Sequence, residues 1–225
     1  MSISLVSSVN ITTNTIKIGD IISFGAHTWQ VLDIQKGLAF IISEDILELK
    51  AYQTNNNGHT WAESSLREYL NGEFYNSNAF SNDDRLRIVQ VTNVNDNNQM
   101  YEVPGGENTQ DRIFLMSIAE AVLYFGDSGY LEYLVREANL MRLRDRSLMN
   151  MSHGINDRYN PNRLAIYKGI IYPPAQTVYY NWWLRSPGSN ISKASLITAG
   201  GIILMSGLSI DIERCGVRPA LWIYL

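Results

Sequence analysis

Two stretches decide how this chain is read: residues 181–190, "NWWLRSPGSN", and residues 216–225, "GVRPALWIYL". In the second, Val217, Pro219, Leu221, Ile223 and Leu225 fall on one face, opposite Arg218, Ala220, Trp222 and Tyr224. A period of two is the signature of a strand. Pro219 has no N–H to donate, so the strand needs a locally unpaired edge there. In the first stretch Trp182 and Trp183 are neighbours, so on a strand they face opposite sides. One is expected in the core, and the other is a candidate platform for a ligand. Ser186-Pro187-Gly188 reads as a turn; with no histidine near it in sequence, it does not read as a nucleophile site. Arg185 and Arg218 are expected to hold the strand through buried carboxylates or carbonyls, with an anion clamp as the alternative.

Working outward, Gly200-Gly201 predicts a two-residue hairpin turn in which both glycines take a positive φ. "LSIDIE" (208–213) alternates as a strand. Upstream, residues 20–49 hold two β-rich runs separated by "QKG", a hairpin with Gly37 at its turn. "AYQTNNNGHT" (51–60) is a polar loop. "WAESSLREYLNGEFYNSNAF" (61–80) reads as a helix with Gly72 as its C-terminal stop. "SNDDRLRIVQVTNVN" (81–95) gives a short helix and then a strand. Residues 93–112 form a long Asn- and Gly-rich loop, of a length that is usually functional or mobile. "FLMSIAEAVLYFG" (114–126) is a helix with a Ser117/Glu120 capping box and Gly126 after its last turn. A second helix is predicted in 130–150, with Leu131, Leu134, Ala138 and Met141 on one side.

Composition sets limits. The chain has 225 residues, 45% of them hydrophobic and 18% charged, which suits one large globular domain over 1–225 with 127–175 as a helical insertion. At a net charge of −4, general attraction to nucleic acid or to an anionic membrane is not expected. The arginines between 136 and 163 read as a solvated helix face rather than as a nucleic-acid patch. One cysteine, Cys215, excludes an intramolecular disulfide and is expected to be a partly buried apolar side chain. His27, His59 and His153 are scattered, and no metal or cofactor is expected. The N-terminus lacks a basic segment and an apolar run, and no stretch is long and apolar enough for a membrane span, so the expected location is the cytoplasm or a phage particle.

With these elements placed, "WWLRSPG" followed by a hairpin and "GVRPALW" resembles a widespread bacterial and phage domain family of unassigned function. "IKIGDIISFGAHTWQVLDI", "AFIISEDILELKAY", "TWAESSLREYLNGEFY" and "DRIFLMSIAEAVLYFG" resemble that family's blocks, in its order. The resemblance implies an α+β, C-type-lectin-like fold similar to the sulfatase-modifying-factor group, with paired N- and C-terminal strands, flanking helices and long loops. It argues against two chemistries of that fold. Formylglycine generation there relies on a pair of cysteines, and calcium-dependent sugar binding on a Glu-Pro-Asn type motif. The stretch 189–215 also resembles the variable regions of diversity-generating retroelement proteins.

On that resemblance, Ala194, Ile197, Gly201, Ile203, Gly207 and Ile210 are scaffold. The free positions are Ser189, Asn190, Ile191, Ser192, Lys193, Leu196, Thr198, Ile202, Leu204, Met205, Leu208, Ser209, Asp211, Ile212, Glu213 and Arg214. Several are apolar, and Ile202, Leu204, Met205, Leu208 and Ile212 are expected to form an exposed contact patch. Together with Trp182, Trp183 and Arg185 these positions make the expected binding surface. The chain is expected to be a non-enzymatic module that binds a protein or other macromolecular ligand. The alternative is a structural or oligomerisation component of a phage particle or assembly, including a homo-oligomer. An enzyme with a pocket between the 93–112 loop and the tail is a third reading.

Overall fold

A computed structural model describes residues 15–54, 60–144, 147–148, 153–169 and 178–225. His59, Arg146, most of the Asn-rich part of the 51–60 loop and the end of the second predicted helix lie outside the described residues. The protein is mixed α and β, with two larger sheets, two two-stranded ones and few helices.

The first large sheet begins with β1 (Ile21–Phe24), β2 (His27–Gln35) and β3 (Leu38–Ser43), an antiparallel run. The turn between β2 and β3 has positive φ at both Lys36 (52°) and Gly37 (78°), the geometry that suits the twist of a two-residue hairpin. The C-terminal strand β15 (Ala220–Tyr224) pairs antiparallel with β3 across Ala220↔Ile42 to Tyr224↔Leu38, and on its other side with β5 (Ile88–Val89). The first and last strands therefore share one sheet, as expected. This explains why Ala220, Leu221 and Ile223 are buried and Trp222 half-buried, with only Tyr224 exposed. A strand between two neighbours, covered on both faces, has no solvated side.

The second sheet runs β4 (Glu48–Leu49), β14 (Gly216–Val217), β11 (Trp182–Pro187), β12 (Lys193–Ile197), β13 (Ile203–Ser209), β8 (Gly154–Ile155). The predicted strand 217–225 is divided at Arg218-Pro219: β14 belongs to this sheet and β15 to the other. Pro219 sits at the passage between sheets, where its missing N–H is not needed, and its carbonyl accepts from Ser43 N–H at 2.9 Å.

Other expectations change. Ser186 and Pro187 continue β11 rather than forming a turn, and Ser186 Oγ accepts from the Ile118 N–H at 2.9 Å. Only Gly201 of the glycine pair has a positive φ (79°). Gly201 N–H donates to Thr198 O and Thr198 N–H to Ile202 O, a wider turn with a bulge instead of a two-residue one. "LSIDIE" does not stay in the sheet. β13 ends at Ser209, Ile212 N–H turns back to Ser209 O, and Asp211 and Glu213 are exposed.

The helices are short. In 61–80 a 3-10 turn (Trp61–Glu63) precedes α1 (Ser65–Tyr69), which runs on as a π segment (Leu70–Phe74) straight through Gly72. Gly72 does not stop the helix, because Asn71 anchors the widened turn. Its Nδ2 donates to Ile113 O at 2.8 Å, and its Oδ1 accepts from Arg112 N–H at 2.8 Å. α2 (Asn82–Arg87) carries a Ser81/Asp84 capping box, and α3 (Ile118–Phe125) has both the expected box and Gly126 at φ 97°. α4 (Tyr130–Leu143) buries Leu134 and Ala138. The 93–112 loop is tied at both ends. β6 (Val91–Asn93) pairs with β7 (Thr109–Asp111), and buried Asn98 donates to Pro187 O (2.8 Å) and Met205 O (2.9 Å). No helix among the described residues is long and apolar enough to cross a membrane.

Candidate ligand-binding face

The two tryptophans do point to opposite sides, and both are fully buried, so neither is a surface platform. β11 is an interior strand with packing on each face. Trp182 Nε1 donates to Arg163 O at 3.0 Å and its ring meets Phe125 edge-on. Trp183 Nε1 donates to Lys50 O at 2.9 Å and its ring meets Tyr52. Arg185 likewise is structural: buried, it forms a fork with the Glu120 carboxylate and donates to Leu115 O at 2.8 Å. Arg218 lies 5.0 Å from the Trp182 ring and 5.5 Å from Phe125, and donates from Nε to Ser43 O. Burial pulls the Arg218 guanidinium down to about 10, against the pull of Asp45 and Glu44. Cys215 is fully buried and burial pushes its thiol up, which disfavours the reactive thiolate.

All six expected scaffold positions, Ala194, Ile197, Gly201, Ile203, Gly207 and Ile210, are buried. Gly207 is fixed by geometry: its φ is 72°, and an added Cβ would meet Ala194 O at 2.3 Å. Among the expected free positions, Leu196 and Met205 are fully buried, because the sheet is covered where they point. Leu204, Leu208 and Ile212 are partly buried against the same core, so the expected exposed apolar patch does not exist as such. Ile202 is half-buried beside the turn at the opposite end of the hairpin.

The remaining free positions fall in separate places. Thr198 and Ile202 lie at the β12–β13 turn. Glu213 and Arg214 lie where the chain runs back toward Gly216 and its partner Trp182. Ser189 to Lys193, Ser209 and Asp211 gather at the far end of β12, about 15 Å from that turn at roughly 3.3 Å per strand residue. There Lys193 is in register with Ser209, Ser189 N–H donates to Ser206 O, and Ile210 N–H to Ser192 O. The β11–β12 turn and the arch leaving β13 thus form one end face. Asn190, Ile191, Ser192 and Asp211 are exposed on it, Ile191 at 59%, and Glu213 and Arg214 are exposed further along the arch. Internal bonds preset its shape: Asn190 Oδ1 accepts from Ser192 N–H (2.9 Å) and Oγ (2.7 Å), and Ser209 Oγ donates to Asp211.

The arch is pinned at both feet, Gln53 N–H donating to Ile210 O and Lys50 N–H to Cys215 O. Beneath its later half lies a cleft of about 460 Å³, bounded by Leu49, Lys50, Ala51 and Thr54, by Ser65, Leu66 and Tyr69 of α1, and by Glu213 and Arg214. Lys50 Nζ sits 3.9 Å from the centre of the Tyr69 ring and 3.5 Å from Glu48, while Tyr69 Oη donates to Glu48 at 2.6 Å. Burial and the Glu48 carboxylate both push the Tyr69 hydroxyl pKa up, so it stays a donor. Sequence reading placed Glu213 and Arg214 in the site but missed Lys50, Ser65 and Tyr69. Nothing local marks them, because the cleft exists only once residues 49–54 and α1 meet the arch.

The described arginines of 136–163 are in part tied up within the fold. Arg163 is buried against Asp157 at 3.0 Å, and Arg142 pairs with Glu102 at 3.2 Å. His153 stacks on Tyr101, whose hydroxyl meets its Nδ1 at 2.6 Å, and its carbonyl accepts from Met205 and Ser206 N–H. No group of three His, Cys, Asp or Glu side chains suited to a metal occurs among the described residues.

Comparison with known families matches residues 36–225 to the model of the Domain of unknown function (DUF6273), and the chain belongs to that family. No curated protein and no solved structure matches it.

Proposed function

We propose that this DUF6273 member is a non-enzymatic binding module with a C-type-lectin-like architecture, which offers its end face to a protein or other macromolecular ligand. The observation that carries the reading is the division of labour within 181–225. The signature residues Trp182, Trp183, Arg185 and Arg218 are buried and hold the sheets, while the chain between them emerges as Ser189–Lys193 and Asp211–Arg214. A rigid framework carrying short exposed turns is how binding loops are commonly held. The shared sheet of first and last strands fits the lectin-like architecture. The diversified version of this reading is narrowed to the exposed turns, since a freely varying Leu196 or Met205 would disturb packing. With its apolar patch mostly packed away, the oligomerisation alternative has less to stand on.

The test is capture of partners from the source cell by the immobilised chain, identified by mass spectrometry and compared with a variant carrying Ile191→Glu and Arg214→Glu. Both positions are exposed, so the variant is expected to keep the wild-type unfolding midpoint and to lose a specific partner. Identical captured sets from the two chains would overturn the reading.

A further inference from the structure

We infer that the cleft under the arch is the specificity pocket of this face, and that it takes an aliphatic side chain of the partner next to an acidic one. This rests on the end face being the binding surface, because the arch that forms the face also supplies the rim of the cleft through Glu213 and Arg214. The volume of about 460 Å³ is within the range of ligand pockets. Its floor is aliphatic: Leu66 is 1% and Ala51 6% exposed, with Leu49 beside them. Such a floor favours an apolar side chain through burial alone.

The rim carries the polar selectivity. Lys50, Arg214 and Glu213 line it, and Glu48 lies 3.5 Å from Lys50. Arg214 is exposed and has no ion-pair partner among the described residues. Lys50 is held in place over Tyr69 by the ring and by Glu48, whose carboxylate is itself engaged by the Tyr69 hydroxyl. With Lys50 paired to Glu48, the unpaired charge at the mouth is the Arg214 guanidinium, which complements a carboxylate entering beside the buried aliphatic group. Thr54 N–H is already satisfied by Ser65 Oγ at 2.9 Å, so the wall does not demand a further backbone acceptor from the ligand.

Fluorescence polarisation of labelled, capped hexapeptides with a central Leu-Asp, Leu-Ser or Leu-Lys pair tests this directly. The Leu-Asp peptide is expected to bind tightest, and its preference to shrink as salt screens the rim. Arg214→Glu should weaken it about fivefold, the upper range for one exposed ion pair. Glu213→Gln should strengthen it, and Thr54→Trp, which fills the mouth from an exposed position, should remove binding of all three. No binding by any peptide, or equal binding of Leu-Asp and Leu-Lys, would overturn the pocket. If the peptides fail while Ile191→Glu alone, outside the cleft, still costs the chain its captured partner, the pocket falls and the end face stands.

Discussion

The Asp111 carboxylate has no exposed surface and accepts four hydrogen bonds: from Trp61 Nε1 (2.9 Å), Arg67 Nε (2.6 Å), Asn93 Nδ2 (2.8 Å) and Thr109 Oγ1 (2.6 Å). It joins the α1 region to the 93–112 loop, and its removal leaves a guanidinium and three further donors short of an acceptor. Asp111→Ala is expected to destabilise the fold by about 3 kcal/mol, read from the urea midpoint. His27 carries a pH dependence of definite sign. Burial between Trp29 and Phe74 lowers its pKa from 6.5, only partly offset by Glu48. Below 6.5 the unfolded chain binds a proton that the folded chain resists, so stability falls as pH drops through that value. His27→Phe keeps the stacking and removes the proton. Its unfolding midpoint should therefore fall less than the wild type's between about pH 7 and pH 5.

Between elements, Asn98 does for the 93–112 loop what Asp111 does for α1. Its side-chain oxygen accepts from Met100 and Tyr101 N–H while its amide donates to Pro187 O and Met205 O of the second sheet. Asn98→Ala should cost about 2 kcal/mol and speed proteolytic cleavage within 99–108, because two backbone donors lose their acceptor. Elements whose signals are local were legible in the sequence. Ser117, Glu120 and Gly126 mark both ends of α3, and Gly37 marks the β2–β3 turn. Elements that depend on distant partners were not. The helix runs through Gly72 only because Asn71 finds the backbone of Arg112 and Ile113, forty residues on. Alternation in 208–213 mimics a strand, yet Ser209 turns the chain out toward Gln53 and Lys50. Both tryptophans are buried because β11 is interior, a fact about strand order that no single stretch records.

At the scale of the molecule, the chain crosses between its two sheets at Arg218-Pro219, so the C-terminal signature locks both together. The same crossing leaves the arch from Ile210 to Cys215 spanning the surface with its feet tied and its middle exposed. Positions that fold the chain are thus distinct from positions that bind. A substitution scan of residues 181–225, scored in parallel for folded abundance and for retention of the captured partner, tests that separation most directly. Trp182, Trp183, Arg185, Leu196, Met205 and Arg218 are expected to fail on abundance. Asn190, Ile191, Ser192, Asp211, Glu213 and Arg214 should instead tolerate substitution for abundance and fail on binding. Binding that follows abundance at every position, with no exposed residue lost for binding alone, would contradict that separation.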